Sequence, residues 1–311
     1  MARPTLGPEP TMTAPLLILD GGTGRELARR GAPFRQPEWS ALALLEGPDY
    51  VTAVHRAYVA AGADVITTNS YALVPFHLGP ARFAARGAEL AALAGQLARA
   101  VADDAGRPVR VAGSLPPVGG SYRPDLIDLA QARAVLPVLI AGLAPHVDHW
   151  QAETLSALAE ARLVAELVAP TGRPLWLSFT LEDGLHAGAA RLRSGESVTA
   201  AATEVRALGA AALLFNCSQP EVMGAAVAAA RAVLGDALPI GVYANAFPPM
   251  AADAEANAGL DPIRTDLTPA GYRAFAAAWR SAGATIIGGC CGIGPEHIAA
   301  LAGTDGSDRL G

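Results

Sequence analysis

Alternation constrains this chain more than any other feature. Short β-rich segments recur eight times between longer Ala-, Leu- and Arg-rich ones. They are residues 16–20 (LLILD), 64–68 (DVITT), 109–113 (VRVAG), 147–153 (VDHWQAE), 175–180 (LWLSFT), 212–216 (ALLFN), 239–244 (PIGVYA) and 284–288 (ATIIG). Their starts lie 27 to 48 residues apart, room for a helix and its loops in each interval. In residues 48–61 the apolar positions Val51, Val54, Ala57, Tyr58 and Ala61 recur mostly at spacings of three and four, the helical period. Gly62 then stops that helix. Similar Gly-centred stops, at 208–210 and 282–284, stand at or just before β-rich segments.

Eight β-then-α units in one run predict a (β/α)8 TIM barrel, an α/β fold with a parallel sheet closed on itself. A doubly wound open sheet is the alternative. It usually carries a GxGxxG turn after its first strand, and Asp20-Gly21-Gly22-Thr23-Gly24 lacks that spacing. No internal linker interrupts the pattern, so a single domain is expected over 15–305. Residues 1–14 and 306–311 read as flexible tails.

Composition excludes several function classes. Hydrophobic residues make up 51% and charged residues 17%, so a sizeable core can form. The longest nearly unbroken apolar stretch, residues 134–145, is twelve residues with two prolines, against about 20 for a membrane span. No apolar segment near the N-terminus has the length of a secretory signal. All 23 basic residues are Arg, the net charge is −6, and no basic run exists, which disfavours nucleic acid. Without Lys, a Schiff-base mechanism is excluded. Three Cys without a signal segment point to a reducing, cytoplasmic setting.

In such a barrel the site lies at the C-terminal ends of the strands. The polar residues expected there are Asp20, Thr67, Asn69, Tyr71, Ser114, Glu153, Asn216, Asn245 and the three cysteines Cys217, Cys290 and Cys291. Three thiols at one mouth suit Zn2+ and leave a fourth position open, the pattern of a catalytic site. Adjacent Cys290 and Cys291 can face one ion only across a sharp turn, which Gly288, Gly289 and Gly292 allow. The rival readings are small buried packing residues and a Gly-rich phosphate cradle at 288–294. Alternation places His149, Gln151 and Glu153 on one face of the fourth strand and Asp148, Trp150 and Ala152 on the other. Asp20 and Glu153 could be an acid/base pair or could hold an ammonium group; either could instead cap a helix N-terminus or a turn, Asp20 above all. Three thiolates on Zn2+ carry net −1, so two further carboxylates call for a positive partner. His55, His149 and His297 read as packing or surface residues.

Taken together, LLILDGGTGRELARRG, DVITTNSYA, SFTLEDG, LFNCS and IIGGCCGIGPEHI resemble the homocysteine S-methyltransferase family, over about residues 16–303. The resemblance implies a zinc-dependent barrel that methylates homocysteine to methionine. Cys217, Cys290 and Cys291 would hold the zinc, and no general base would be needed at the transfer step. Asp20 and Glu153 would hold the amino group of homocysteine. Gly21, Gly22 and Thr23 would lie near its carboxylate. Tyr71 would approach the metal when substrate is absent, and Thr67 opens the same strand-end motif.

Two mouth loops, GSLPPVGGSYRPDL and YANAFPPM, depart from the pattern of S-methylmethionine-using members. They hold the donor-site candidates Tyr122 and Phe247, whose rings could face a cation. One barrel uses nearly the whole sequence, so a small, self-activated donor is expected: S-methylmethionine first, then S-adenosylmethionine. A betaine-dependent or other thiol methyltransferase is the alternative, as is a non-catalytic zinc- or thiol-binding protein. The expected partners are small molecules, with neither nucleic acid nor membrane; nothing in the sequence sets the oligomeric state.

Overall fold

All eight β-rich segments form strands, and all pair in parallel. They are β1 (Leu17–Ile18), β2 (Val65–Thr67), β3 (Arg110–Leu115), β4 (His149–Leu155), β5 (Leu175–Phe179), β6 (Ala212–Asn216), β7 (Ile240–Tyr243) and β8 (Ile286–Ile287). The computed structural model describes residues 16–184, 190–249, 262–303 and 309–310. The sheet runs β1-β8-β7-β6-β5-β4-β3-β2. A parallel bridge, Leu19 to Val65, joins its two edges. The hydrogen bonds Asp20 N to Val65 O (3.0 Å) and Asp64 N to Ile18 O (2.7 Å) flank that bridge and close the barrel. The single-domain (β/α)8 expectation is what the chain adopts.

Helices fill the intervals. The one expected over 48–61 is Pro48–Ala60, with Val51, Val54 and Tyr58 buried. Pro at the first helical turn recurs in Pro80–Asp103, Pro220–Leu234, Pro269–Ser281 and Pro295–Ala302, where its missing N–H costs nothing. Elsewhere side chains cap: Asp128 accepts from Gln131 N at 2.9 Å and Ser197 from Ala200 N at 3.1 Å.

Strand alternation divides the core in two. Ile18, Ile66, Val111, Trp150, Leu177, Leu213, Val242 and Ile287 point outward into the helix layer. Leu19, Val65, Ala112, Trp176, Ala212, Leu214, Tyr243 and Ile286 pack the barrel interior. Trp150 lies on the helix side, as its alternation with Glu153 predicts, and donates its Nε1–H to Thr171.

Strand ends differ from the expected ones. β3 runs two residues further, to Leu115, and β4 continues to Leu155 through an irregularity between Ala152 and Leu155. Arg309 and Leu310, within the stretch expected as a tail, are docked. Arg309 bonds Leu16 O (3.0 Å) and Asp64 (2.7 Å), and Leu310 N donates to Leu301 O (3.1 Å). The segment 1–14 lies outside the described residues, among which no helix is long and apolar enough to cross a membrane.

Candidate active site and metal centre

The C-terminal ends of the strands open on a cavity that, with the solvent space at its mouth, encloses about 1020 Å³. Asp20, Thr67, Tyr71, Glu153 and the three cysteines all line it. Cys217 follows β6 directly and is buried; Cys290 and Cys291 follow β8. The exit of β7 fixes all three. Tyr243 O accepts from Cys217 N (3.3 Å), Ala244 O accepts from Cys290 N (2.9 Å), and Ala246 N donates to Cys291 O (2.8 Å). The turn expected around the cysteine pair is closed by Ile293 N to Cys290 O at 3.0 Å, with Gly292 at φ +85°.

The three Sγ atoms lie within 4.8 Å of one another, and those of Cys217 and Cys290 are 2.9 Å apart. Sulfurs at about 2.3 Å from one tetrahedral ion stand about 3.8 Å from each other, within this span. The cluster therefore fits a single metal ion. Without a metal the cluster favours a single thiolate, on Cys291, while the Cys217 and Cys290 thiols are held above the ordinary range. Hydrogen bonds from Cys217 and Cys290 hold the Cys291 thiol well below the ordinary thiol range, against its burial, and the Arg25 guanidinium adds to this.

The Asp20-Gly21-Gly22 turn sits flush on the cysteine loop. A Cβ on Gly22 would come within 2.5 Å of Cys290 O, and one on Gly21 within 2.3 Å of Ile293 O. Only glycine allows the two loops this approach. Tyr58 Oη, 3.2 Å from both Gly22 O and Ile293 O, ties them together.

Asp20 caps nothing in the helix that follows. Its carboxylate instead accepts Thr67 N (2.7 Å) and Thr67 Oγ1 (3.0 Å) from the adjoining strand β2. Glu153 accepts the Ser114 hydroxyl. Burial pushes the Asp20 carboxyl up to about 7, with the Thr67 bonds opposing and the Glu153 charge adding. Burial likewise pushes Glu153 up to about 7, against its Ser114 bond. Two buried carboxyls that gain charge only near neutrality are poised for a cationic group.

A pH dependence follows, with a definite sign. A carboxyl raised in the folded state favours folding below its unfolded pKa, and that contribution is lost as pH rises through about 7. Ammonium binding runs the opposite way, because it needs the charged form. Homoserine, which has no thiol to titrate, should bind more tightly from pH 6 to pH 8, by at most about tenfold per unit per carboxyl, and then level off. Glu153→Gln should flatten that profile and weaken binding about 10- to 150-fold. Calorimetry showing equal affinity at pH 6 and pH 8 would remove the pair from this role.

The aromatic candidates have other duties too. Tyr122 is buried, with the Arg193 guanidinium 5.1 Å from its ring centroid. Arg193 forms a buried ion pair with Asp183 at 2.7 Å. Phe247 lies under Arg25 at 5.6 Å. One face of each ring thus already meets a cation, and both residues still line the cavity. Tyr71 Oη lies 2.5 Å from Ser121 Oγ. The histidines pack: burial pushes His149 down to about 3 and His55 to about 4, so both stay neutral. His297 bonds Gly294 N and Leu267 O.

Sequence reasoning placed Asn216 at the mouth and missed its task. Its Nδ2 donates to Thr154 Oγ1 (2.8 Å), and its Oδ1 accepts from Thr154 N (2.9 Å) and Ser178 Oγ (2.8 Å). It thereby clamps the irregular end of β4 that carries Glu153. Thr154 sits at φ +61°, Cys217 at +52°, Tyr122 at +68° and Trp39 at +50°, and all four line the cavity. Backbone strain of this kind gathers at functional sites. Tyr243, inward by strand alternation and also in the cavity wall, was legible in GVYA and overlooked.

Comparison with known proteins fits this geometry. The family model for homocysteine S-methyltransferase matches residues 17–304. The homocysteine S-methyltransferase of Escherichia coli K12 is 33% identical over 92% of this chain and 94% of its own length. The homocysteine S-methyltransferase YbgG of Bacillus subtilis is 30% identical over 93% and 94%. The crystal structure of the metallated form of the homocysteine methyltransferase MmuM from Escherichia coli aligns with a TM-score of 0.74 at 29% identity, covering 94% of this chain and 97% of that one. With a family model spanning the barrel and a cysteine cluster at its mouth, this chain belongs to the homocysteine S-methyltransferase family, transferases that methylate homocysteine.

Proposed function

We propose that this protein transfers a methyl group from a small sulfonium, S-methylmethionine or S-adenosylmethionine, to homocysteine, with Zn2+ on Cys217, Cys290 and Cys291. The observation that carries the reading is the meeting of three thiols and two neutral-range carboxyls in one cavity. The donor set is all sulfur, which favours zinc over harder ions. When bound, zinc supplies the positive charge that keeps a substrate thiol ionised at neutral pH, where a free thiol of pKa about 8.5 is only about 3% thiolate.

The protein's own groups then bind and align. Asp20 and Glu153 hold the ammonium group. Gly22 N already donates to Ile293 O at 3.0 Å, so Thr23, at the end of the Gly21–Gly22 turn, is the carboxylate contact. The cavity opens to solvent at the barrel mouth, so the amino acid lies at its floor beside the cysteines and the donor enters above it. The sides of Tyr122 and Phe247 turned away from their arginines are the donor contacts. In the transfer, the homocysteine sulfur forms a bond to the methyl carbon. The carbon–sulfur bond of the sulfonium breaks with its electron pair, and the donor leaves as a neutral thioether. The thiol proton has already gone to solvent, so the step needs no general base, and alignment does most of the work. Three free thiols suit a reducing, cytoplasmic setting.

The test is methionine formation from homocysteine with S-methylmethionine, S-adenosylmethionine and betaine at matched concentration. Turnover with either sulfonium is expected, and S-methylmethionine should be the better donor. Turnover with betaine alone, or with none of the three, overturns the sulfonium reading.

A further inference from the structure

Gln151 has no part in the chemistry described so far, yet it lies in the wall of the same cavity. It precedes Glu153 by two residues on the inward face of β4 and is 1% exposed. Its side-chain amide lies close enough to Glu153 to oppose the burial that raises that carboxyl. An amide favours the charged form of a carboxyl through its NH2, so Nε2 is the end turned toward Glu153. The other end, Oε1, is buried and finds no hydrogen-bond partner among the described residues. A buried acceptor without a donor is costly, so a ligand donor is its natural complement.

The number of acceptors says which donor. An ammonium group offers three N–H bonds. Asp20 and Glu153 are two acceptors, each already engaged, by Thr67 and by Ser114. A third acceptor gives each N–H of a desolvated ammonium a partner residue of its own. We propose that Gln151 Oε1 accepts the third N–H of the substrate's amino group, which makes Gln151 a specificity residue for thiols bearing a primary amine. The inference rests on homocysteine being the acceptor.

The experiment uses the full, zinc-loaded chain and calorimetric binding, which needs no methyl donor. The ligands are homocysteine, N-methylhomocysteine, which has one N–H fewer, and 4-mercaptobutanoate, which has none. The wild-type protein should bind N-methylhomocysteine at least about tenfold more weakly than homocysteine, the low end for a charge-assisted hydrogen bond. Gln151→Met should close that gap by weakening homocysteine alone. It should leave 4-mercaptobutanoate binding and metal content unchanged, and raise KM for homocysteine with little change in kcat. A residue that merely supports the strand or orients Glu153 would not separate the two amines. Equal affinity of the wild type for the two amines overturns the proposal without any variant. An unchanged gap in Gln151→Met, with homocysteine still bound, overturns this inference alone. Absence of homocysteine binding to the wild type overturns it together with the proposed function.

Discussion

Cys290→Ala should strip the metal and abolish methyl transfer while leaving the barrel folded. Cys290 Sγ lies 2.9 Å from Cys217 Sγ, and its removal leaves two thiols where three are needed to enclose one ion. Without the metal the substrate thiol returns to about 3% ionisation at pH 7, a loss of about 30-fold by itself. Lost alignment should bring the fall in kcat/KM to at least about 10³-fold. The fold should tolerate the change, because Cys290 is only half-buried and lies beyond β8. Its backbone bond to Ala244 O survives substitution by Ala. Elemental analysis, far-ultraviolet circular dichroism and single-turnover rates together decide the point. Full zinc and activity in a Cys290→Ala, Cys291→Ala double variant would falsify the zinc assignment.

Asn216→Leu should produce the largest loss of stability among the mouth residues. Asn216 is fully buried, and its amide satisfies the Thr154 N–H, the Thr154 hydroxyl and the Ser178 hydroxyl. Leucine of similar size leaves those three groups buried and unpartnered. Each such group costs about 1–3 kcal/mol, so a destabilisation of about 3–5 kcal/mol is expected. Activity should fall further than stability predicts. The clamp joins Thr154, which follows Glu153 in sequence, to Asn216, which precedes Cys217. Asn216→Asp keeps the two acceptor bonds and should retain more of both properties. Denaturant unfolding within 1 kcal/mol of wild type for the Leu variant would show that the clamp carries no weight.

The barrel was legible because its signal is repeated: eight β-rich segments, each with an inward and an outward face. Trp150 and Glu153 fell on opposite sides as period-two alternation requires. The cysteines were legible because chemistry narrows their use and the surrounding glycines imply a turn. Less could be read where one residue's role depends on a distant strand's register. Asn216 clamps Thr154, 62 positions away, and nothing local to either residue encodes the pairing. The Asp183–Arg193 pair needs a loop to return on itself. The arginines over Tyr122 and Phe247 come from separate segments, so residue type alone could not show that one face of each ring was taken.

The left-handed backbone at Trp39, Tyr122, Thr154 and Cys217 bears on how this enzyme would respond to engineering. Glycine adopts such angles freely, whereas a β-branched Thr does so only when its surroundings force it. A library selected for heat resistance alone would therefore drift toward glycine or asparagine at these positions, and each gain would remove or replace a side chain in the cavity wall. Screening for melting temperature and for metal-dependent turnover should pull in opposite directions here, and nowhere more than at residue 217.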